Sequence, residues 1–110
     1  MANSSSNILA TQATANNTSR VAPATTIPSN CHTILVFNPD TTNSVLLAEG
    51  SASGVVLPTA SSMLVPPNSS VTLGIGIQSL RASPFAELVY STTAGAINVN
   101  ITYICTNRNR

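Results

Sequence analysis

Between residues 31 and 105 the apolar positions fall into short runs, several with a period of two, and turn-forming residues break them about every ten positions. The segment "AINVNITYIC" (96–105) alternates most cleanly, with Ile97, Val99, Ile101, Tyr103 and Cys105 on one face and Asn98, Asn100 and Thr102 on the other. "SSVTLGIGIQSL" (69–80) does the same through Val71, Leu73, Ile75 and Ile77. "CHTILVFN" (31–38) is rich in β-branched residues and ends at the turn signal Asn38-Pro39-Asp40. "SVLLAEG" (44–50), "SGVVLP" (53–58), "SSMLV" (61–65, stopped by Pro66-Pro67) and "FAELVYSTT" (85–93, before Ala94-Gly95) complete the set. No segment carries an apolar period of 3.6, so the pattern predicts an all-β, antiparallel β-sandwich, jelly-roll or Greek-key-like in its connections.

Such a topology places the first core strand (31–38) antiparallel to the last (96–105). Setting Cys31 opposite Cys105 then predicts Thr33 beside Tyr103, Leu35 beside Ile101 and Phe37 beside Val99. A slip of one residue would bring Asn98 and Asn100 against Leu35 and Phe37 instead. Two readings of the facing cysteines stay open. They form a bridge on oxidation, or they remain buried thiols packed as small hydrophobes, the expectation for a chain folded in a reducing cytosol.

Residues 1–30 have a different texture. Twenty-one of the thirty are Ser, Thr, Asn or Ala, and the sizeable apolar residues are Ile8, Leu9, Val21 and Ile27. Burying those four offsets only a small part of the entropy lost in fixing thirty backbones. The block is therefore expected to be an extended or flexible N-terminal arm that needs a neighbour to order it, with "RVAPATTIP" (20–28) as a proline-limited extended stretch. The expected organisation is an arm over 1–29, a sandwich domain over 30–107 and a C-terminal tail over 108–110.

Composition sharpens this picture. Only 6% of residues are charged, with no lysine, and the net charge is +1. That balance argues against nucleic-acid binding, which draws its affinity from phosphate neutralisation. It also leaves the sheet edges without the charged guards that small free-standing β proteins use, as expected of an assembly component whose edges a partner covers. No run of apolar residues is long enough to span a membrane, and the N-terminal stretch lacks a signal-peptide pattern. The expectation is a protein made in the cytoplasm with no membrane partner.

Candidate chemistry is sparse. Cys31 and His32 are adjacent, but neighbours on a strand point to opposite faces and cannot act as nucleophile and base. Cys31, His32 and Cys105 make three soft donors without metal-ligand spacing. Glu49 and Glu87 could pair as in a glycosidase, yet aromatic sugar platforms are nearly absent. "GIGI" (74–77) lacks the spacing of a phosphate loop. The chain is not expected to be an enzyme or to hold a cofactor or metal.

The Ser/Thr/Ala/Asn-rich arm, the strand ending in "ILVFNPDTT", the central "LVPPNSSVTLGIG" and the final "INVNITYI" together resemble the small β-sandwich, jelly-roll-like virion structural proteins of tailed bacteriophages, of the capsid cement or decoration type. The resemblance implies a non-enzymatic protein on the capsid surface that binds between major capsid subunits, assembles with itself as a homotrimer and stabilises the head. Its contacts with capsid and self are then expected from Ile8, Leu9, Arg20, Val21 and Ile27 of the arm and from Arg108 and Arg110 of the tail. The alternative is a receptor- or glycan-binding module of a phage fibre or tail or of a cell surface, for which Phe85 and Tyr90 are the candidate aromatic contacts.

Overall fold

The computed structural model describes residues 6–23, 27–28, 31–50, 52–74 and 88–106. Its strands are β1 (Ser6–Ala15), β2 (Cys31–Asn38), β3 (Val45–Glu49), β4 (Met63–Val65), β5 (Ser69–Gly74), β6 (Leu88–Thr92) and β7 (Ile97–Thr106). A 3-10 turn, Thr59–Ser61, precedes β4. One sheet has the order β1-β7-β2-β5 and the other β4-β3-β6, with every pairing antiparallel.

An isolated bridge extends the smaller sheet. Val21 N donates to Tyr90 O at 2.9 Å and Tyr90 N to Val21 O at 2.8 Å, so Val21 stands beside β6 as the remnant of a further strand. Counted this way among the described residues, both layers have four members, and the chain passes between them in the order of a jelly roll. The expected sandwich is present, and its first two members come from the compositional block read as an arm.

That block is extended, as expected, over Ser6–Ala15, but its partner is the chain's own last strand and not a neighbour. Ten consecutive residues of β1 pair with β7, from Ser6 with Thr106 to Ala15 with Ile97. Ala13 and Ala15 point inward and join the core. Asn16 then turns the chain, its Oδ1 accepting from the backbone N–H of Thr18 (2.9 Å) and Ser19 (2.8 Å). The chain crosses to the other layer, where Asn16 O accepts from Thr92 N at 3.0 Å. Residues 6–21 thus tie the two sheets together along one side.

The pairing of β2 with β7 departs from the expected register. Cys31 is opposite Cys105, but the ladder then shifts, so that Thr33 lies opposite Ile104, Ile34 opposite Tyr103, Leu35 opposite Thr102, Val36 opposite Ile101 and Phe37 opposite Asn100. His32 is the extra residue of a β-bulge. Two core positions, Cys31 and Ile34, are consequently three residues apart, and Leu35 and Phe37 are turned to the outer face, where each is half-buried. The bulge produces a one-residue slip that sets Thr102 and Asn100, in place of Ile101 and Val99, opposite Leu35 and Phe37.

Segment 53–58, expected as a strand, is a loop. Gly54 takes φ +104°, where a side chain is strained, and the Arg20 guanidinium lies against it, with Arg20 Nε donating to Val55 O at 3.0 Å. Leu57 N donates to Ser91 Oγ at 3.0 Å, and Leu57 packs with Leu46 and Val89 on the outside of the smaller sheet. This explains why every residue of β6 is buried. Residues 75–80 and 85–87 of the other expected strands lie outside the described residues.

The main core between the layers holds Ile34, Val36, Val45, Leu47, Val65, Tyr90, Val99, Ile101 and Tyr103, among others. The Tyr90 hydroxyl is buried and has no hydrogen-bond partner among the described residues. Leaving a buried polar group unpaired is costly, so Tyr90→Phe is expected to raise stability by about 1 kcal/mol. Urea unfolding followed by circular dichroism checks this, and a clear loss of stability would reveal a partner for the hydroxyl.

Candidate functional site

None of the four strands of the larger sheet contains Lys, Arg, Asp or Glu. Its outward face is built from cross-strand rows set by the register. Ile8, Ile104, Thr33 and Gly74 form one row; Ala10, Thr102, Leu35 and Thr72 the next; Gln12, Asn100, Phe37 and Ser70 a third. The polar members bond to one another instead of presenting charge. Gln12 Nε2 donates to Asn100 Oδ1 and Thr14 Oγ1 to Asn98 Oδ1, each at 2.8 Å. A shallow depression between β1 and β7 is lined by Ala10, Gln12, Asn100 and Thr102 among others. The face is flat, neutral and mixed in polarity, suited to contact with a broad surface and unsuited to holding a small ion.

One margin of this sheet is β1. Among the described residues nothing pairs with its far edge, and the exposed end carries Ile8 and Leu9, 72% and 40% accessible. No charge, proline or bulge interrupts the ten residues, so the strand keeps the unguarded N–H and C=O row that favours strand addition.

The expected interface residues separate into three groups. Ile8 and Leu9 are exposed on this strand. Arg20, Val21 and Ile27 are engaged within the chain: Arg20 clamps the 53–58 loop, Val21 bridges to Tyr90, and Val21 and Ile27 pack on the main core. Arg108 and Arg110 lie outside the described residues. Sequence reasoning missed Leu35 and Phe37 as surface groups because the bulge at His32 reverses which face they occupy.

The candidate catalytic groups are not brought together. Cys31 is buried, and its Sγ donates to Thr33 O at 3.4 Å. His32 Nδ1 is 2.9 Å from Thr33 Oγ1, so the imidazole is paired with a hydroxyl and not with the thiol. Glu49 is exposed at the end of β3, and Glu87 lies outside the described residues. No three His, Cys, Asp or Glu among the described residues are grouped to hold a metal. Of the aromatic contacts considered for a glycan, Tyr90 is fully buried and Phe85 lies outside the described residues.

Titration follows burial. Desolvation pushes the Cys31 and Cys105 thiols up and raises Tyr103 to about 12, with the nearby Cys31 adding to the effect; Tyr90 is pushed higher still. Asp40 is held below its usual value by backbone N–H groups of Asn43 (2.7 Å) and Thr42 (3.1 Å). Thiols and phenols raised in the folded state favour folding only while neutral, so that stability is complete below their unfolded values and lost as pH climbs through the folded ones. Asp40 acts oppositely, its share being lost as pH falls below the usual carboxylate range, but it is a surface group and its share is small. The thermal midpoint is therefore expected to fall steeply from about pH 9 towards pH 12 and far less on acidification to about pH 4. Scanning calorimetry across that range tests the asymmetry.

No protein-family model, curated protein or solved structure matches the chain.

Proposed function

We propose that this chain is a non-enzymatic structural protein of a virion, a cement or decoration protein of the capsid surface that binds between major capsid subunits and assembles with itself as a homotrimer. The observation that supports the reading best is the larger sheet, uncharged on all four strands and ending in the long open edge of β1. A free-standing domain with such an edge risks uncontrolled strand addition. A component whose edge and outer face are covered on assembly does not, and the neutral face adapts to a broad shell surface without matching charges. An interface of standard size, roughly 1,600 Å², can be strong with no ion pair. Repetition of the contact by three copies adds avidity.

The test is co-sedimentation of the full-length protein with empty shells of the same virus, together with equilibrium sedimentation of the protein alone. The protein is expected to pellet with shells and to sediment as a trimer. Ile8→Lys places a guard charge on an exposed position of β1 and is expected to weaken shell binding at least tenfold with an unchanged melting curve. Full-length protein that stays in the supernatant, or selective binding on a glycan array in its place, overturns the proposal.

A further inference from the structure

We propose that Cys31 and Cys105 are a latent intramolecular disulfide, a two-thiol site that a small-molecule disulfide such as oxidised glutathione converts into a covalent tie between β2 and β7, the two central strands of the larger sheet. The inference stands on the local geometry and does not rest on the proposed virion role. The two residues are Cα partners in the antiparallel ladder. Directly opposed residues in such a ladder sit about 4.5–5.5 Å apart, within the roughly 4.4–6.8 Å that a disulfide spans. Both side chains point into the same core and both are free thiols. The bulge at His32 follows Cys31 at once. A bulge releases the backbone from strict pairing and adds local twist, which lets the two Cβ atoms adjust to bridging without disturbing the ladder from Thr33 onward.

Position also supplies the route of entry. Cys31 opens β2, and Cys105 is the penultimate residue of β7. Strand ends open locally without global unfolding. Cys105, the less buried of the two, is the entering thiol. Its thiolate attacks one sulfur of oxidised glutathione, breaking that S–S bond, forming a mixed disulfide and releasing one glutathione thiolate. Cys31 then gives up its proton to solvent and attacks the Cys105 sulfur, expelling the second glutathione thiolate. The two protein thiols lose two protons and two electrons, and the oxidant's disulfide is reduced to two thiols. The closed loop runs from residue 31 to residue 105, enclosing every strand except β1. A loop of that length strongly restricts the unfolded chain.

The experiment uses the folded full-length chain, incubated with oxidised glutathione, then quenched with N-ethylmaleimide in denaturant and weighed by intact mass spectrometry. The expected product is a monomer lighter by two hydrogens, with no maleimide attached and a melting temperature raised by roughly 10 °C. Cys31→Ser and Cys105→Ser are expected to show no such product and no gain in melting temperature. Two maleimide adducts, a persistent glutathione adduct, a disulfide-linked dimer, or a bridge that forms only in denaturant each overturns the proposal.

Discussion

Replacing Asn38 by alanine is expected to destabilise the protein by about 3–5 kcal/mol. Asn38 closes β2 with its side chain fully buried. Its Nδ2 donates to Asn43 O at 2.8 Å, Val65 O at 3.1 Å and Pro66 O at 3.2 Å, while its Oδ1 accepts from Asp40 N at 3.0 Å. Carbonyls on one side and an N–H on the other fix the orientation of the amide. The amide joins the end of β2 in one sheet to the end of β4 in the other and to the turn that leads into β3. Alanine leaves Val65 O buried and unpaired and takes a partner from the part-buried groups of Asp40, Asn43 and Pro66, at about 1–3 kcal/mol for each that finds no substitute. Asn38→Asp is worse at neutral pH, because it aims a carboxylate at carbonyl oxygens. A carboxyl kept neutral by burial gives its stability back on acidification, so the Asp variant should recover in part towards about pH 4 while the Ala variant does not. Denaturant melts of both at pH 7 and pH 4 separate lost bonds from an added charge.

The second large effect comes from deleting residues 1–15. The truncated chain is expected to lose more than about 5 kcal/mol, leaving no cooperative melt near room temperature. The deletion removes the ten β1 partners along one side of β7, takes Ala13 and Ala15 out of the core and uncovers that flank of Val99, Ile101 and Tyr103. It also opens a long edge on β7, so the product should aggregate. A sharp melt at the parent temperature would show that the segment is dispensable. Ala15→Asp, a charge at a fully buried position, makes the same test without altering chain length and is expected to destabilise by several kcal/mol.

These two sites mark where the fold was legible in the sequence and where it was not. β7 announced itself because large apolar residues alternate with Asn and Thr along it. β1 did not, since its inward positions are Leu9, Thr11, Ala13 and Ala15, mostly small residues that composition reads as polar filler. Their burial is decided by the partner strand and not by their own hydrophobicity. β2 was legible as a strand but not in its facing. Ile34, Leu35, Val36 and Phe37 are all apolar, so alternation cannot choose between the two faces, and a bulge at His32 leaves no periodic signature. The candidate surface was accordingly half visible. The neutrality of the sheet followed from composition, the exposure of Ile8 and Leu9 is seen only in the fold, and Leu35 and Phe37 on the outer face depended on the bulge.

The pairing of β1 with β7 also sets the order of events during synthesis. Ser6–Ala15 leaves the ribosome well before its partner, Ile97–Thr106, which emerges only after all of the intervening chain. Long-range strand pairing of this kind makes folding slow. Throughout translation β1 remains an unpaired, uncharged strand able to meet the same strand on a neighbouring nascent chain. In the finished molecule, with Ser6 beside Thr106, a short linker between those two points is all that a circular permutant needs, and β1 would then be made directly after the strand it pairs with.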